Sequence, residues 1–331
     1  MTAIPVSKAD FAKANAVDAP EDAASLAVPA KPASQEPGPA LLKLRALADA
    51  AWPPFLGIAV FLGGWALLAP MVDTSLGALP GPGEVLAAFG GLIVEYGAAR
   101  DMAAQAAAAG HSYAGPPTFL DQILTSLKTV GLGFVLATIV AVPLGLVAGM
   151  SPRFNAAINP LVQVMRPVSP LAWLPIVTMV VSASMTGGSD GMLAKSFVVS
   201  AVVVMLCSLW PTLINTAIGT ASIDKDLLNV GRVLRLGWFA KLRRLVLPSA
   251  LPFIFTGMRL SLGTGWMVLI AAEMLSQNPG LGKFVWDEFQ NGSSQSLSRI
   301  MAAVVVIGLI GFALDWIMMS LQSLSSRNRN V

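Results

Sequence analysis

The sequence has 331 residues, of which 55% are hydrophobic and 12% are charged, whereas soluble domains carry about 25% charged residues. The mean hydropathy of +0.70 indicates a membrane protein and excludes a soluble globular enzyme, a disordered chain and a disulfide scaffold. A single cysteine, Cys207, excludes an internal disulfide and a four-cysteine zinc site. Because the net charge is only +3, its distribution along the chain matters more than its sum.

The first 45 residues are rich in Ala, Pro and Ser and contain no apolar run. A segment of this composition cannot bury enough surface to offset the entropy of ordering, so we expect a disordered cytoplasmic tail and not a signal peptide. Residues 46–323 are predicted to form a transmembrane permease domain, and residues 324–331 a short cytoplasmic tail.

Six apolar segments follow, each close to the ~20 residues that a helix needs to cross ~30 Å of hydrocarbon. They predict an all-α integral membrane protein. The third segment contains four prolines, which predict a broken helix in the membrane. The predicted spans are 54–72, 123–150, 157–181, 193–218, 247–275 and 300–321.

The loop between the first two spans is the longest. It begins with an amphipathic stretch at 84–96, and the small-residue run at 103–110 is either a linker or a loosely held helix. With the N-terminus inside, the inner segments carry 14 of the 21 Lys and Arg residues, the outer loops carry five and the spans two. This asymmetry predicts that both termini are cytoplasmic.

The loop between spans four and five is the most basic part of the chain. Residues 222–246 carry six basic and two acidic side chains, a net charge of +4 that exceeds the total for the whole chain. Leu227, Val230 and Leu234 recur at helical spacing and form one apolar stripe. Such a loop could lie against anionic lipid, or its stripe could dock into the groove of a partner protein.

The same loop contains start and stop signals for two short helices. Ser222 or Asp224 can cap the first helix, and Gly237 is predicted to end it. The second helix is predicted over 238–247 and to stop at Pro248, since proline cannot continue the backbone ladder.

This loop resembles the cytoplasmic loop of bacterial ABC importer permeases. In that family, Glu-Ala-Ala, three residues, Gly, nine residues, Ile, one residue and Leu-Pro mark the coupling helix that seats in the ATPase subunit. The spacing is kept here, although Asn229, Val230 and Gly231 replace Glu-Ala-Ala and Arg235 replaces Gly. The residues to which the resemblance assigns ATPase coupling are Asp226, Leu227, Asn229, Val230, Gly231, Leu234, Arg235, Gly237, Leu247 and Pro248.

The resemblance extends over about residues 79–321. The runs at 166–176 and 208–216 are similar to the branch that carries nitrate, nitrite, cyanate or bicarbonate, whose relatives carry sulfonates and taurine. Other positions that match the family pattern are Leu79, Pro80, Gly81, Pro82, Ser126, Gly133, Pro143, Leu144, Gly145, Pro252, Gly257, Arg259, Glu273, Gly280, Leu281 and Gly282.

The resemblance implies a six-helix bundle of the type I importer class in a bacterial inner membrane. Two permease copies, identical or related, would frame one pathway, two cytoplasmic ATPases would dock on them, and a periplasmic or lipid-anchored binding protein would deliver the anion. The chain itself is expected to bind no cofactor, metal or nucleic acid, and ATP and Mg²⁺ belong to the ATPases. The Gly-rich turn at 280–284 lacks the Ser or Thr of a phosphate loop, because Phe284 takes that place.

Ionisable residues within spans are costly and usually functional or paired. Arg259 and Asp315 are predicted to form a structural ion pair, because their depths of about 18 and 9 Å from the inner ends of spans five and six leave a gap that a long Arg side chain, helix tilt or a shift in the span bounds could close. Arg166, Ser169 and Trp173 lie within the proline-broken third span, and with Arg259 and Glu273 they are candidates for the translocation pathway. The alternatives are a structural role for Arg166 and a packing or interface role for Trp173.

Other function classes stay open from the residues alone. A stand-alone secondary transporter could use Glu273 or Asp315 as a proton relay. A membrane scaffold would leave the basic amphipathic loop unexplained. An embedded enzyme is disfavoured, because the sequence contains no evident nucleophile–base or metal-ligand set.

Overall fold

The computed structural model describes residues 39–74, 77–111, 115–185, 194–293 and 295–327. Two compact units are present, residues 1–60 and 61–331. The described part of the first unit is the beginning of helix α1. The second unit holds the remaining elements. The helices are α1 (Pro39–Leu68), α2 (Pro82–Ala108), α3 (Phe119–Met150), α4 (Pro152–Met165), α5 (Pro170–Ser184), α6 (Lys195–Ala221), α7 (Lys225–Val233), α8 (Trp238–Lys241), α9 (Leu247–Ser276), α10 (Leu281–Asn291) and α11 (Ser296–Arg327).

The helical region extends beyond both predicted bounds of the permease domain. Helix α1 begins at Pro39, so residues 39–45 are helical and not part of a disordered tail. Helix α11 continues to Arg327 and so includes the first residues of the predicted C-terminal tail. The rest of both predicted tails, residues 1–38 and 328–331, lies outside the described residues.

Five of the six predicted membrane spans correspond to single helical segments, with changes in their bounds. Within the described residues, five helical segments are long and apolar enough to cross a membrane: Trp52–Met71, Phe119–Met150, Lys195–Ala221, Trp238–Ser276 and Ser296–Leu324. A sixth crossing is possible if the bent pair α4 and α5 counts as one span.

The third predicted span is two helices and not one. Helices α4 and α5 meet at an angle of 101°. The break lies at residues 166–169, beside Pro167 and Pro170, and each of these prolines lacks the N–H that would continue the helical ladder. Ser169 caps the start of α5, where its hydroxyl accepts a hydrogen bond from the Leu171 N–H at 3.3 Å. The proline signal was therefore sufficient to predict a break but not the size of the bend.

The segment between the first and third helices is also helical. A short hairpin pairs β1 (Asp73–Thr74) with β2 (Gly77–Ala78), and α2 then follows as one helix of 27 residues. The small-residue run at 103–110 is mostly the last part of this helix. Gly110, with φ of +77°, lies just beyond its end.

The centre of the second unit is the packing of α6 against α3 and α9. Glycines on α3 allow the close approach, since a Cβ on Gly133 would lie 2.7 Å from the Ala201 carbonyl oxygen of α6. A Cβ on Gly145 would lie 2.6 Å from Cβ of Thr216. On α9, Gly257 faces Thr212 and Asn215 in the same way. Small residues at these contacts let helix backbones approach closely, which is the usual basis of helix association in membranes.

A hydroxyl from α9 enters the backbone ladder of α6. Ser261 Oγ accepts a hydrogen bond from the Thr212 N–H at 3.1 Å and donates one to the Ser208 carbonyl oxygen. Ser208 is four residues before Thr212, so this hydroxyl connects the two groups that an undisturbed helix would join directly. The insertion lies next to Pro211, where α6 has already lost a backbone donor.

Two neighbouring glycines on α3 provide a matched test of this packing. We expect Gly133→Ala to destabilise the fold by about 1–3 kcal/mol, because the new methyl group overpacks the α3–α6 contact. Gly131→Ala should be neutral or stabilising by about 0.5–1 kcal/mol, since a Cβ there meets nothing within 4 Å. Thermal unfolding of the two purified variants in detergent measures the difference, and equal midpoints would contradict this account.

Candidate functional site

The predicted start of α7 is present in the structure. Asp224 precedes α7, and its carboxylate accepts a hydrogen bond from the Asp226 N–H at 2.9 Å. This side chain satisfies one of the N–H groups that every helix start leaves without an internal partner. Of the two predicted caps, Asp224 is the one used. Ser222 instead donates to the Gly219 carbonyl oxygen.

The end of α7 differs from the prediction. Helix α7 ends at Val233, and Gly237 is not its terminator but the residue before α8. The Leu236 N–H donates to the Gly231 carbonyl oxygen at 3.0 Å and the Arg235 N–H to the Arg232 carbonyl oxygen at 2.9 Å. This pair of bonds is the Schellman motif, which places a left-handed residue just after the helix.

The left-handed position of this motif is occupied by Arg235, with φ of +46°. Glycine is preferred there because it has no Cβ to clash with the backbone. Arg235 is also the residue at the Gly place of the coupling-helix pattern. The pattern's glycine therefore has a physical reason in this chain, namely the backbone conformation that ends α7.

The second helix of the loop also differs from the prediction. Helix α8 ends at Lys241, a π-helical turn follows over Leu242–Val246, and α9 starts at once with Leu247. Pro248 does not stop a helix. It lies in the first turn of α9, directly after the π-helical turn, and the backbone continues as a helix through it.

The loop exposes several large apolar side chains. Five side chains are at least half exposed, and two of them, Trp238 and Phe239, are aromatic. We call this set the α7–α8 surface; its residues are Val230, Val233, Leu234, Trp238 and Phe239. Helical spacing in the sequence predicts Val230 and Leu234 but not the other three. Leu227 is only partly exposed, and Asp226 and Asn229 are exposed polar neighbours.

The opposite side of the loop rests on the bundle. Gly231 is buried, and a Cβ there would lie 2.8 Å from Cδ1 of Leu245. Val246 and Leu247 pack with Leu146 of α3 and Ile254 of α9 in one apolar cluster. The α7–α8 surface is therefore attached to the ends of two long membrane helices.

Within the described residues, no hydrogen bond or ion pair joins the candidate pathway residues at the bend between α4 and α5 to the other charged candidates. Arg166 follows the end of α4 and is exposed, as is Ser169 at the start of α5. Trp173 is partly buried and packs into the cluster formed by α5, α6 and α9. These positions agree with a packing role for Trp173 and leave Arg166 and Ser169 accessible on the bend.

Arg259 and Asp315, the predicted ion pair, are in contact. Arg259 Nε lies 2.5 Å from Asp315 Oδ1, and Nη2 lies 2.8 Å from Oδ2, so the contact is bidentate. Both side chains keep about 40% of their surface exposed. The pair lines a lateral cavity of about 230 Å³ together with Trp266. It joins α9 to α11 and is separate from the bend.

Glu273 lies in a closed polar network and does not face an open path. Its side chain is fully buried. Ser126 of α3 places its hydroxyl 2.9 and 2.8 Å from the two carboxylate oxygens, and the Gly282 N–H donates to Oε2 at 3.0 Å. Within the described residues Glu273 forms no ion pair. The candidate pathway set is thus divided over three places: the bend, the Arg259–Asp315 contact and this network.

Residues 141–328, more than half of the chain, match the family described as "binding-protein-dependent transport system inner membrane component". The chain belongs to this family. The match covers helices α4 to α11 and therefore includes the α7–α8 surface, the bend and the charged residues of α9 and α11.

Two relatives with curated names are permeases for small anions. The nitrate import permease protein NrtB of Leptolyngbya laminosa is 37% identical over 194 residues, 59% of this chain and 64% of that protein. The bicarbonate transport system permease protein CmpB of Synechococcus elongatus is 38% identical over 208 residues, 62% of this chain and 69% of that protein. The chain thus spans just under two thirds of the length of the nitrate relative that it matches.

One further relative matches a larger share of the chain, and one solved structure has a similar fold. A probable ABC transporter permease of Brucella melitensis is 31% identical over 262 residues, 78% of this chain and 90% of that protein. A chain of the MetNI methionine ABC transporter, solved in inward-facing conformations, superposes with a TM-score of 0.53 at 12% identity, over 62% of this chain and 95% of its own. The structural likeness shows a shared fold.

The strained end of α7 gives a testable prediction. We expect Arg235→Gly to stabilise the end of the helix by about 1 kcal/mol, because glycine adopts positive φ without a Cβ clash. Arg232→Gly removes the same charge from inside α7 and should destabilise the helix by about 0.5–1 kcal/mol. Hydrogen exchange of the Leu236 amide, which closes the motif, measures both effects. Faster exchange in Arg235→Gly would contradict the assignment.

The Arg259–Asp315 contact can be tested by exchanging its charges. We expect Arg259→Asp alone to impair assembly, because two carboxylates would then face each other between α9 and α11. Adding Asp315→Arg should restore part of the assembly by re-forming an opposite-charge pair. The yield of monodisperse protein in detergent measures the effect. A double variant no better than the single one would count against a structural pair.

Proposed function

We propose that this chain is the membrane-spanning subunit of an ATP-driven importer for a small oxyanion. Nitrate is the first candidate, followed by nitrite, cyanate and bicarbonate, and a sulfonate such as taurine is the alternative cargo. Membership of the family supports the transport role. The resemblance to a nitrate and a bicarbonate permease supports the cargo class, since both anions are small and singly charged.

The observation that carries the coupling role is the exposed α7–α8 surface. Two aromatic and three aliphatic side chains stay in contact with solvent, while basic residues flank them. Protein interfaces are enriched in aromatic anchors of this kind. We therefore assign this surface to a separate ATPase subunit on the cytoplasmic side, which supplies ATP and Mg²⁺ binding.

The proposed assembly contains two copies of this chain or two related permeases, two ATPases and one delivery protein outside the membrane. Closure of the ATPases on ATP would move α7 and α8, and the membrane helices would then alternate between outward and inward access. Arg166 and Ser169 would lie beside the anion pathway at the bend, where a broken helix leaves backbone groups available to a ligand.

A proton-coupled secondary transporter is less well supported. A proton relay needs a carboxyl group that meets water on both sides of the membrane in turn. Glu273 has no exposed surface, and Asp315 is held bidentately by Arg259. The importer therefore accounts for more of the observed contacts.

The proposal is tested at the α7–α8 surface. We expect Trp238→Ala to weaken binding of the ATPase subunit by about thirtyfold. An exposed aromatic side chain that a partner buries often contributes about 2 kcal/mol or more to binding. Anion uptake into proteoliposomes should fall with it. Phe289→Ala is a matched control, because this similarly exposed aromatic residue lies on α10, at the other end of α9. Full uptake by Trp238→Ala would refute the coupling role.

The cargo is tested with the purified complex and its delivery protein. ATP hydrolysis is measured with nitrate, nitrite, cyanate, bicarbonate and taurine in separate assays. We expect stimulation by one or more of the four small anions and none by taurine. Stimulation by taurine alone would move the assignment to the sulfonate branch. Uptake that persists without the ATPase but collapses with the proton gradient would overturn the importer itself.

A further inference from the structure

Helix α10 starts without a cap of its own. Every helix start leaves N–H groups that need partners, and the residue before α10 is Gly280, which has no side chain. The partners come from two other helices. The Leu281 N–H donates to Ser126 Oγ of α3 at 2.9 Å, and the Gly282 N–H donates to Glu273 Oε2 of α9 at 3.0 Å. We call the group formed by Ser126, Glu273, Leu281 and Gly282 the α10 cap.

The α10 cap is sealed from solvent. Ser126 and Glu273 have no exposed surface, and Leu281 has none either. A Cβ on Gly280 would collide with the Glu273 carboxylate, and one on Gly282 would collide with the Ile270 carbonyl oxygen. The turn before α10 is thus closed tightly around the carboxylate. Loss of a partner would leave buried polar groups unsatisfied, which costs more than the bond itself contributes.

The other end of α10 is held by charged side chains. Glu288, which is nearly buried, accepts a hydrogen bond from the Ser296 hydroxyl at 2.9 Å and lies 2.7 Å from Nε of Arg299. The two terminal nitrogens of Arg299 bind Glu95 of α2 at 2.9 and 2.8 Å. Glu95 is more than half exposed. Exposed pairs contribute little, so the link to α2 is weaker than the α10 cap.

We propose that Glu273 is a positioning residue that joins α3, α9 and α10 into one body during the transport cycle. The proposal rests on the proposed importer function. In this role Glu273 supplies hydrogen-bond acceptors at a fixed place and does not transfer a proton. Motion in the cycle would then take place around this body, at contacts such as Glu95–Arg299, and not between α10 and α3.

The role predicts that glutamine can replace Glu273. A carboxamide oxygen would accept from the Gly282 N–H, and its NH₂ would donate to Ser126 Oγ. Asn278 Nδ2, which lies 3.5 Å from Oε1, would lose that long contact but keep Thr129 Oγ1 as its acceptor. Ser126 would still accept from the Leu281 N–H, and its own hydroxyl could turn to a carbonyl oxygen in the preceding turn of α3. Leucine has a similar size but offers no acceptor, so Glu273→Leu is the matched opposite.

The first experiment compares Glu273→Gln, Glu273→Leu and Ser126→Ala in the complete complex. We expect uptake by Glu273→Gln within about threefold of the natural chain, and a loss of about tenfold or more in Glu273→Leu at equal amounts of assembled protein. Ser126→Ala should lie between them. A glutamine variant as inactive as the leucine variant would overturn the proposal in favour of an essential carboxyl proton. Full uptake by Glu273→Leu would overturn it as well.

A second measurement does not depend on transport. Hydrogen exchange of the resting complex reports on the Leu281 and Gly282 amides, which are donors in the α10 cap. Both should be strongly protected in the natural chain and in Glu273→Gln, and the Gly282 amide should exchange about tenfold faster in Glu273→Leu. Unchanged protection in Glu273→Leu would refute the cap. If the natural chain transports no anion, the importer proposal fails, and this exchange still decides the role of Glu273.

Motion between the helices is measured with spin labels. Cys207 is the single cysteine of the chain, so a Cys207→Ala background accepts labels at Leu124→Cys on α3 and Gln290→Cys on α10, both exposed. Dilution with unlabelled chain avoids signals between copies. We expect the same distance with and without trapped ATP, and a broader distribution in Glu273→Leu. A shift of about 5 Å or more between the two states in the natural chain would refute a single body.

Discussion

The close approach of α3, α6 and α9 is the constraint on which the rest of the second unit depends. In a bilayer there is little hydrophobic gain from joining two apolar helices, so packing and hydrogen bonds must hold them together. Glycines on α3 and α9 remove the side chains that would keep the backbones apart. This proximity lets the Ser261 hydroxyl reach into α6, and it brings Ser126 of α3 to the end of α9.

The same packing determines which elements are exposed. The bent pair α4 and α5 buries only a few side chains, whereas α6 is buried along much of its length. The α7–α8 surface projects from the ends of α3 and α9 and leaves its aromatic residues uncovered. A well-packed centre with less buried elements around it is consistent with motion that takes place at the periphery.

Much of the fold could be predicted from the sequence, because membrane spans depend on length and apolarity alone. The Arg259–Asp315 contact could also be predicted, since charges within spans are few and a long Arg side chain can close the difference in depth between the two positions. The positions of the helix ends are harder to predict from the sequence. Pro248 was predicted to stop a helix because proline lacks an N–H, but the backbone continues as a helix from the π-helical turn through this residue. Gly237 was a stronger signal by residue type than Arg235, although Arg235 has the left-handed backbone.

The role of Glu273 could not be predicted from spacing. Ser126 lies 147 residues before it, and their contact depends on how three helices meet. In the sequence, a carboxylate within a span looks the same whether it faces a transport pathway or caps a neighbouring helix. The two roles are distinguished by the positions of Leu281 and Gly282, which donate through their backbone N–H groups. Because every non-proline residue has such a group, the residue types do not reveal these bonds.

The π-helical turn at Leu242–Val246 has a mechanical consequence. Because α8, this turn and α9 are consecutive, the backbone stays helical from Trp238 to Ser276, and α9 alone is roughly 45 Å long at 1.5 Å per residue. The continuous stretch connects one face of the membrane to the other without a flexible loop. A π-helical turn holds one residue more than a regular turn, so it can take up or release length where the α7–α8 surface joins this lever.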